Sequence, residues 1–103
     1  MFSLFRSVTS ISIRDFSAAL TAKTKVIDVR TPSEYRGGHI RNAANVPLNK
    51  IAHYSGKKEP LYVICQSGVR SKQAAKLLIK MGYDATTIRG GMNQWQGPIQ
   101  GGK

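Results

Sequence analysis

The sequence predicts an α/β domain with a mainly parallel central sheet of about five short strands and helices on both faces. Three observations predict it. Short β-branched runs, at residues 25–29 and 61–64, alternate with segments whose apolar residues recur at helical spacing. A helix-start signal, Thr31-Pro32-Ser33-Glu34, follows the first of these runs without a linker. The chain has 103 residues, the length of one small domain, and no internal repeat or low-complexity tract divides it. Strands that alternate with helices favour a parallel sheet, because a parallel neighbour is reached only through a crossover.

Each element follows in order. Ile11-Ser12-Ile13 suits a short edge strand, and residues 15–20 place Phe16, Ala19 and Leu20 at helical spacing. Lys25-Val26-Ile27-Asp28-Val29 is a buried strand. In the segment after it Thr31 caps, Pro32 takes the first helical position and Glu34 completes a capping box. Ala43-Ala44-Asn45-Val46 makes another short strand, stopped by Pro47. Residues 48–54 form a helical turn or two, and Leu61-Tyr62-Val63-Ile64 is the strongest strand of the chain. Ala74, Ala75, Leu77, Leu78 and Met81 share one face of a helix over residues 71–81, which Gly82 ends in a left-handed conformation. Residues 85–88 are the last strand, and Gly90-Gly91 turns the chain into a short helix near Trp95. The expected organisation is a short lead over residues 1–9, the domain over 10–98 and a flexible tail over 99–103.

Composition narrows the function. No apolar run approaches the roughly 20 residues that span a bilayer, so no membrane role is expected. The opening residues are too short and interrupted for a secretory signal. They are basic and Ser-rich, but periodic structure by Ile11 leaves little room for a transit peptide, and a cytoplasmic protein is expected. A single cysteine forms no internal disulfide, and with only His39 and His53 beside it no metal site is predicted. The net charge of +11, from 16 Lys+Arg against 5 Asp+Glu, suggests an anionic partner: a small anion, an acidic protein or a nucleic acid. The cations are dispersed, with no basic arm and no RNA-binding signature, so direct nucleic-acid binding is not favoured.

Taken alone, Cys65 reads as a small core residue; its surroundings reverse that reading. It ends the strongest strand, at the carboxyl edge of the sheet where α/β ligands bind. Five residues, Gln66-Ser67-Gly68-Val69-Arg70, then lead to a helix beginning at Ser71. A short loop entering a helix leaves backbone N–H groups without intrahelical partners, and if it curls they converge into an anion-binding nest. Gly68 gives the backbone the freedom to curl. The helix dipole and Arg70 add positive potential, so the thiolate, or a persulfide anion, is favoured there.

The chain resembles the rhodanese family over about residues 11–95. Three segments carry the resemblance: Asp28-Val29-Arg30-Thr31-Pro32-Ser33-Glu34-Tyr35 with Gly38-His39-Ile40 and Ala43-Ala44-Asn45-Val46-Pro47; the loop Cys65-Gln66-Ser67-Gly68-Val69-Arg70-Ser71; and Ile88-Arg89-Gly90-Gly91-Met92-Asn93-Gln94-Trp95. Arg41-Asn42 departs from the Pro-Gly pair that members often carry in that turn. The resemblance implies a thiosulfate sulfurtransferase without a cofactor. Cys65 would take the outer sulfur of thiosulfate or a similar small anionic donor and hand it to cyanide, a thiol or a protein acceptor. The amides of Gln66, Ser67, Gly68, Val69 and Arg70 would hold the persulfide, Ser71 would join them in binding substrate, and the Arg70 guanidinium would meet the oxyanion end of thiosulfate.

Other residues divide between function and structure. Asp28 and Arg30 could support the loop; an ion pair of Arg30 with Glu34, one helical turn on, is the favoured alternative. His39 suits a structural hydrogen bond better than a proton shuttle, and Trp95 and Tyr83 suit packing. Two other functions compete. One is a sulfur-relay or protein-interaction module. The other is a phosphatase or arsenate reductase, which the resemblance disfavours because related phosphatases place the arginine six residues after the cysteine, whereas Arg70 is five after Cys65.

Overall fold

A computed structural model describes residues 8–103; residues 1–7 of the expected lead lie outside the described residues. The elements run β1 (Ser10–Ile11), α1 (Ile13–Ala19), β2 (Val26–Asp28), α2 (Pro32–Arg36), β3 (Ala44–Asn45), a 3₁₀ helix (Leu48–His53), β4 (Leu61–Ile64), α3 (Val69–Lys80), β5 (Ala85–Ile88) and a 3₁₀ turn (Gly91–Gln94). The five strands form one sheet in the order β1-β5-β4-β2-β3, with every strand pair parallel. The predicted α/β architecture is therefore the observed one.

Successive strand residues point to opposite faces, and this divides the core in two. On one face Ile27, Leu61, Val63 and Ala85 pack against Ala74, Ala75 and Leu78 of α3 and Ile51 of the 3₁₀ helix. On the other, Val26, Ile64 and Ile88 pack against Phe16 of α1 and Tyr35 of α2. Cys65 continues the alternation of β4 by one residue and so falls on the α3 face.

Capping explains where the element boundaries differ from the expected ones. Ser12 is not in a strand: its Oγ accepts the Asp15 N–H at 3.0 Å, so α1 begins at Ile13. Thr31 and Glu34 form the expected reciprocal capping box. Gly82 ends α3 with φ 98°, as predicted. Asn42, in the turn where the family often carries a Pro-Gly pair, adopts φ 71°, a conformation Asn tolerates better than most side chains. The main departure is the start of α3. It begins at Val69, two residues before the predicted Ser71, because Gly68 adopts φ 105° and caps the helix itself. Val69 and Arg70 thus form the first turn of α3. Residues 99–103, expected as a tail, lie along α2 and its C-terminal end. Gln100 exchanges two backbone hydrogen bonds with His39, at 2.8 and 3.0 Å, and the Gly102 N–H donates to the Arg36 carbonyl at 2.9 Å.

Candidate active site

The site grows from the end of β4. Cys65 has no exposed surface, yet it is not merely a core residue, because the chain folds back over it. The Gly68 N–H donates to Cys65 Sγ at 3.0 Å, closing a three-residue turn around the sulfur. Val69, Arg70 and Ser71 follow as the first residues of a 12-residue helix, whose opening N–H groups have no intrahelical acceptor. The sulfur thus lies at the positive end of a helix dipole.

Beneath the sulfur is a pair of buried hydroxyls. Cys65 Sγ lies 3.4 Å from Ser71 Oγ; Ser71 donates to the Gly68 carbonyl at 3.2 Å, and Thr87 donates to Ser71 Oγ at 2.8 Å. Ser71, expected among the loop residues that meet substrate, has no exposed surface and sits under the sulfur rather than at the mouth. Thr87 was missed in the sequence. Its signal is parity: it shares the α3 face of β5 with Ala85, a position where a polar side chain needs a partner.

Outside the loop, the Gly91–Gln94 turn holds its first two carbonyls. The Met92 N–H donates to the Cys65 carbonyl at 2.8 Å and the Asn93 N–H to the Gln66 carbonyl at 2.9 Å. In a trans peptide the next N–H points opposite to the carbonyl, so Gln66 and Ser67 direct their N–H groups away from that turn. Gly91 makes the approach close enough: it has φ 56°, and a Cβ there would lie 2.3 Å from the Cys65 carbonyl oxygen. Gly91→Ala is expected to cost about 1–3 kcal/mol and to push the turn off the loop, seen as a lower urea midpoint and faster amide exchange at Met92 and Asn93.

Asp28 and Arg30 are buried, 0% and 4% exposed, and pair with each other at 2.8 Å. Arg30 also donates to the Gly38 carbonyl at 2.8 Å and to Gln66 Oε1 at 3.1 Å, while Gln66 Nε2 donates to Asn93 Oδ1 at 2.7 Å. The first loop side chain is thereby clamped between two elements. The Arg30–Glu34 pair expected from the sequence does not form. Glu34 is held by its capping bond to the Thr31 N–H and faces across to Arg70, with contacts at 2.7 and 3.0 Å. Arg70 is thus engaged by a carboxylate at the position where thiosulfate was expected to meet it.

The Glu34 carboxyl is lowered from 4.5 to about 2, mainly by the Arg70 hydrogen bonds, and Arg70 is raised by the same contact. A carboxyl lowered on folding stabilises the fold fully above about pH 4.5 and loses that contribution as pH falls towards about 2. Both side chains are about one-third exposed, so solvent screens the pair. Urea midpoints measured from pH 5 to pH 2 should therefore fall less steeply for Glu34→Gln than for the wild-type chain.

His39 is buried, stacks on Tyr35 at 3.6 Å between ring centroids and bonds the Tyr35 carbonyl through Nδ1 at 2.7 Å, a structural placement. Trp95 packs on Phe16 and Tyr83 on Tyr54. Among the described residues no cluster of metal-ligating side chains occurs, and no helix is long and apolar enough to cross a membrane.

Relatives share this arrangement of elements. The chain is 30% identical to thiosulfate sulfurtransferase GlpE of Shewanella oneidensis, covering 86% of this chain and 93% of that protein. It is 35% identical to protein YqhL of Bacillus subtilis, covering 95% and 80%. A crystal structure of a rhodanese-like domain protein from Staphylococcus aureus superposes with a TM-score of 0.83 at 30% identity, over 93% of this chain and all of that one. The family model for the rhodanese-like domain matches residues 12–98, and the chain belongs to that family.

Proposed function

We propose that this protein is a sulfurtransferase that stores a sulfane sulfur on Cys65 as a persulfide. One observation carries the reading: a cysteine sulfur enclosed by its own loop, accepting the Gly68 N–H at 3.0 Å at the start of α3. In the first half-reaction the Cys65 thiolate attacks the outer sulfur of a donor such as thiosulfate. A new S–S bond forms, the donor bond breaks, and sulfite leaves with the electron pair. In the second half, cyanide, a thiol or a protein thiol attacks that same sulfur and Cys65 leaves as thiolate. Covalent storage between two substrates gives ping-pong kinetics. Because Cys65 has no exposed surface, loading must part the segment at residues 66–68.

The names of relatives support the chemistry. PspE of Escherichia coli, 33% identical over 75% of this chain, is also named a thiosulfate sulfurtransferase. YrkF of Bacillus subtilis, 30% identical over 91% of this chain, is named a putative sulfur carrier protein, which favours relay to a protein acceptor as the second reading. A phosphatase is the weaker alternative, because the Arg70 guanidinium is occupied by Glu34. Intact mass measurement tests the proposal. Excess thiosulfate should add one sulfur atom to the chain, and cyanide should remove it as thiocyanate. An unchanged mass with thiosulfate and with an organic persulfide would overturn it.

A further inference from the structure

The charges around the site do not match those of the whole chain. The chain carries +11 and only five acidic residues, yet two of the five, Asp28 and Glu34, pair with the two guanidinium groups that flank the loop, Arg30 and Arg70. Both of these guanidinium groups are therefore already paired. Beside them runs an open cleft of about 350 Å³, whose lining includes the polar Arg30, Glu34 and Gln66 and the apolar Met92, Trp95 and Ile99. That volume is at the small end of ligand clefts. Ile99 is 60% exposed, one of two large apolar side chains left so open among the described residues, and the pairing of Gln100 with His39 anchors its segment at the cleft rim.

A dianion such as thiosulfate gains little from such a surface. It meets the Glu34 carboxylate, must displace it from Arg70, and has no use for the apolar wall. An organic persulfide carries at most one negative charge, on its terminal sulfur, so it meets less opposition, and it buries its uncharged hydrocarbon body against Met92, Trp95 and Ile99. We infer that the preferred sulfur donor is an organic persulfide, R–S–SH with an apolar R group, and that Glu34 sets this preference over thiosulfate. The inference rests on Cys65 as the sulfur carrier. The step balances without an oxidant: the Cys65 thiolate bonds to the outer sulfur of R–S–SH, the donor S–S bond breaks, and the electron pair and the proton depart as R–SH, leaving the Cys65 persulfide anion.

The test compares second-order rate constants for loading sulfur onto the full chain, read by intact mass, with thiosulfate and with freshly prepared butyl persulfide. The readout is the ratio of the two constants. Glu34→Gln keeps the Oε1 acceptor that serves both the Thr31 N–H and Arg70 but removes the carboxylate charge that opposes a dianion, so the ratio should move about tenfold towards thiosulfate, the size of effect expected from removing a like charge near contact. Ile99→Ala, at an exposed position, should move it about fivefold the same way by weakening butyl persulfide use. It carries the test if Glu34→Gln fails to fold. A ratio unchanged in both variants, or moved towards butyl persulfide, overturns the inference. Failure of the wild-type chain to load from either donor would instead sink the sulfur-carrier reading beneath it.

Discussion

Cys65→Ser is expected to leave the fold intact and to abolish sulfur uptake. The hydroxyl is smaller than the thiol but keeps the same two partners in reach, the Gly68 N–H and the Ser71 hydroxyl, both of which contact Sγ in the wild-type chain. The substitution leaves no unpaired polar group, and the small loss of volume costs about 1 kcal/mol. Chemistry responds differently. An alkoxide is scarcely formed at neutral pH and does not form a stable bond to sulfane sulfur, so the covalent carrier is gone. Thiosulfate–cyanide turnover should fall by a factor on the order of 10⁴ or more, to background, with no mass gain from any donor. Retained turnover in a correctly folded variant would show that sulfur passes directly from donor to acceptor, because the chain has no second cysteine to take over.

Legibility in the sequence followed the range of the interaction. The capping box at Thr31–Glu34, the left-handed Gly82 and the run of β5 are local, and each appears at its predicted position because neighbours in sequence determine it. The loop was legible in part for the same reason: a strong strand, a cysteine, a glycine and a helix in that order permit few conformations, but Gly68 starts the helix at Val69 and leaves Val69 and Arg70 in its first turn rather than in the loop. Contacts between distant segments were not legible. Nothing local says that Arg30 turns inward to Asp28 and Gln66, 36 residues away, rather than outward to Glu34, or that Glu34 reaches Arg70 across the same separation. The helix spacing of Arg30 and Glu34 was a sound argument for a pair on an isolated helix, but Arg30 lies before the Thr31 cap, outside the helical turn that would align the two. Thr87 was overlooked because its partner, Ser71, lies 16 residues upstream.

The Asp28–Arg30 pair provides the second large effect, and it separates folding from chemistry. Arg30 is 4% exposed and Asp28 is fully buried. The Asp28 carboxylate accepts from Arg30 Nε at 3.0 Å, from its terminal nitrogen at 2.8 Å and from its backbone N–H at 3.0 Å. Asp28→Ala leaves that guanidinium buried without its counterion, which typically costs about 3–5 kcal/mol, a large part of the 5–15 kcal/mol total expected of a domain. Urea denaturation should show a midpoint lowered in proportion, with the slope unchanged. An unaltered midpoint would mean that solvent reaches the pair. Replacing both partners, as Asp28→Leu with Arg30→Met, removes the unpaired charge, and apolar replacements of buried ion pairs are often neutral or stabilising, so most of the lost stability should return. Sulfur loading should not return with it. Arg30 is also the donor that fixes Gln66 Oε1 at 3.1 Å, and a methionine cannot supply that bond. The double variant should therefore melt like the wild-type chain yet load sulfur more slowly, by roughly the factor of 10 that a loosened loop contact costs. Full recovery of both would confine the pair to holding the fold, whereas recovery of stability alone identifies Arg30 as a positioning residue for the loop around Cys65.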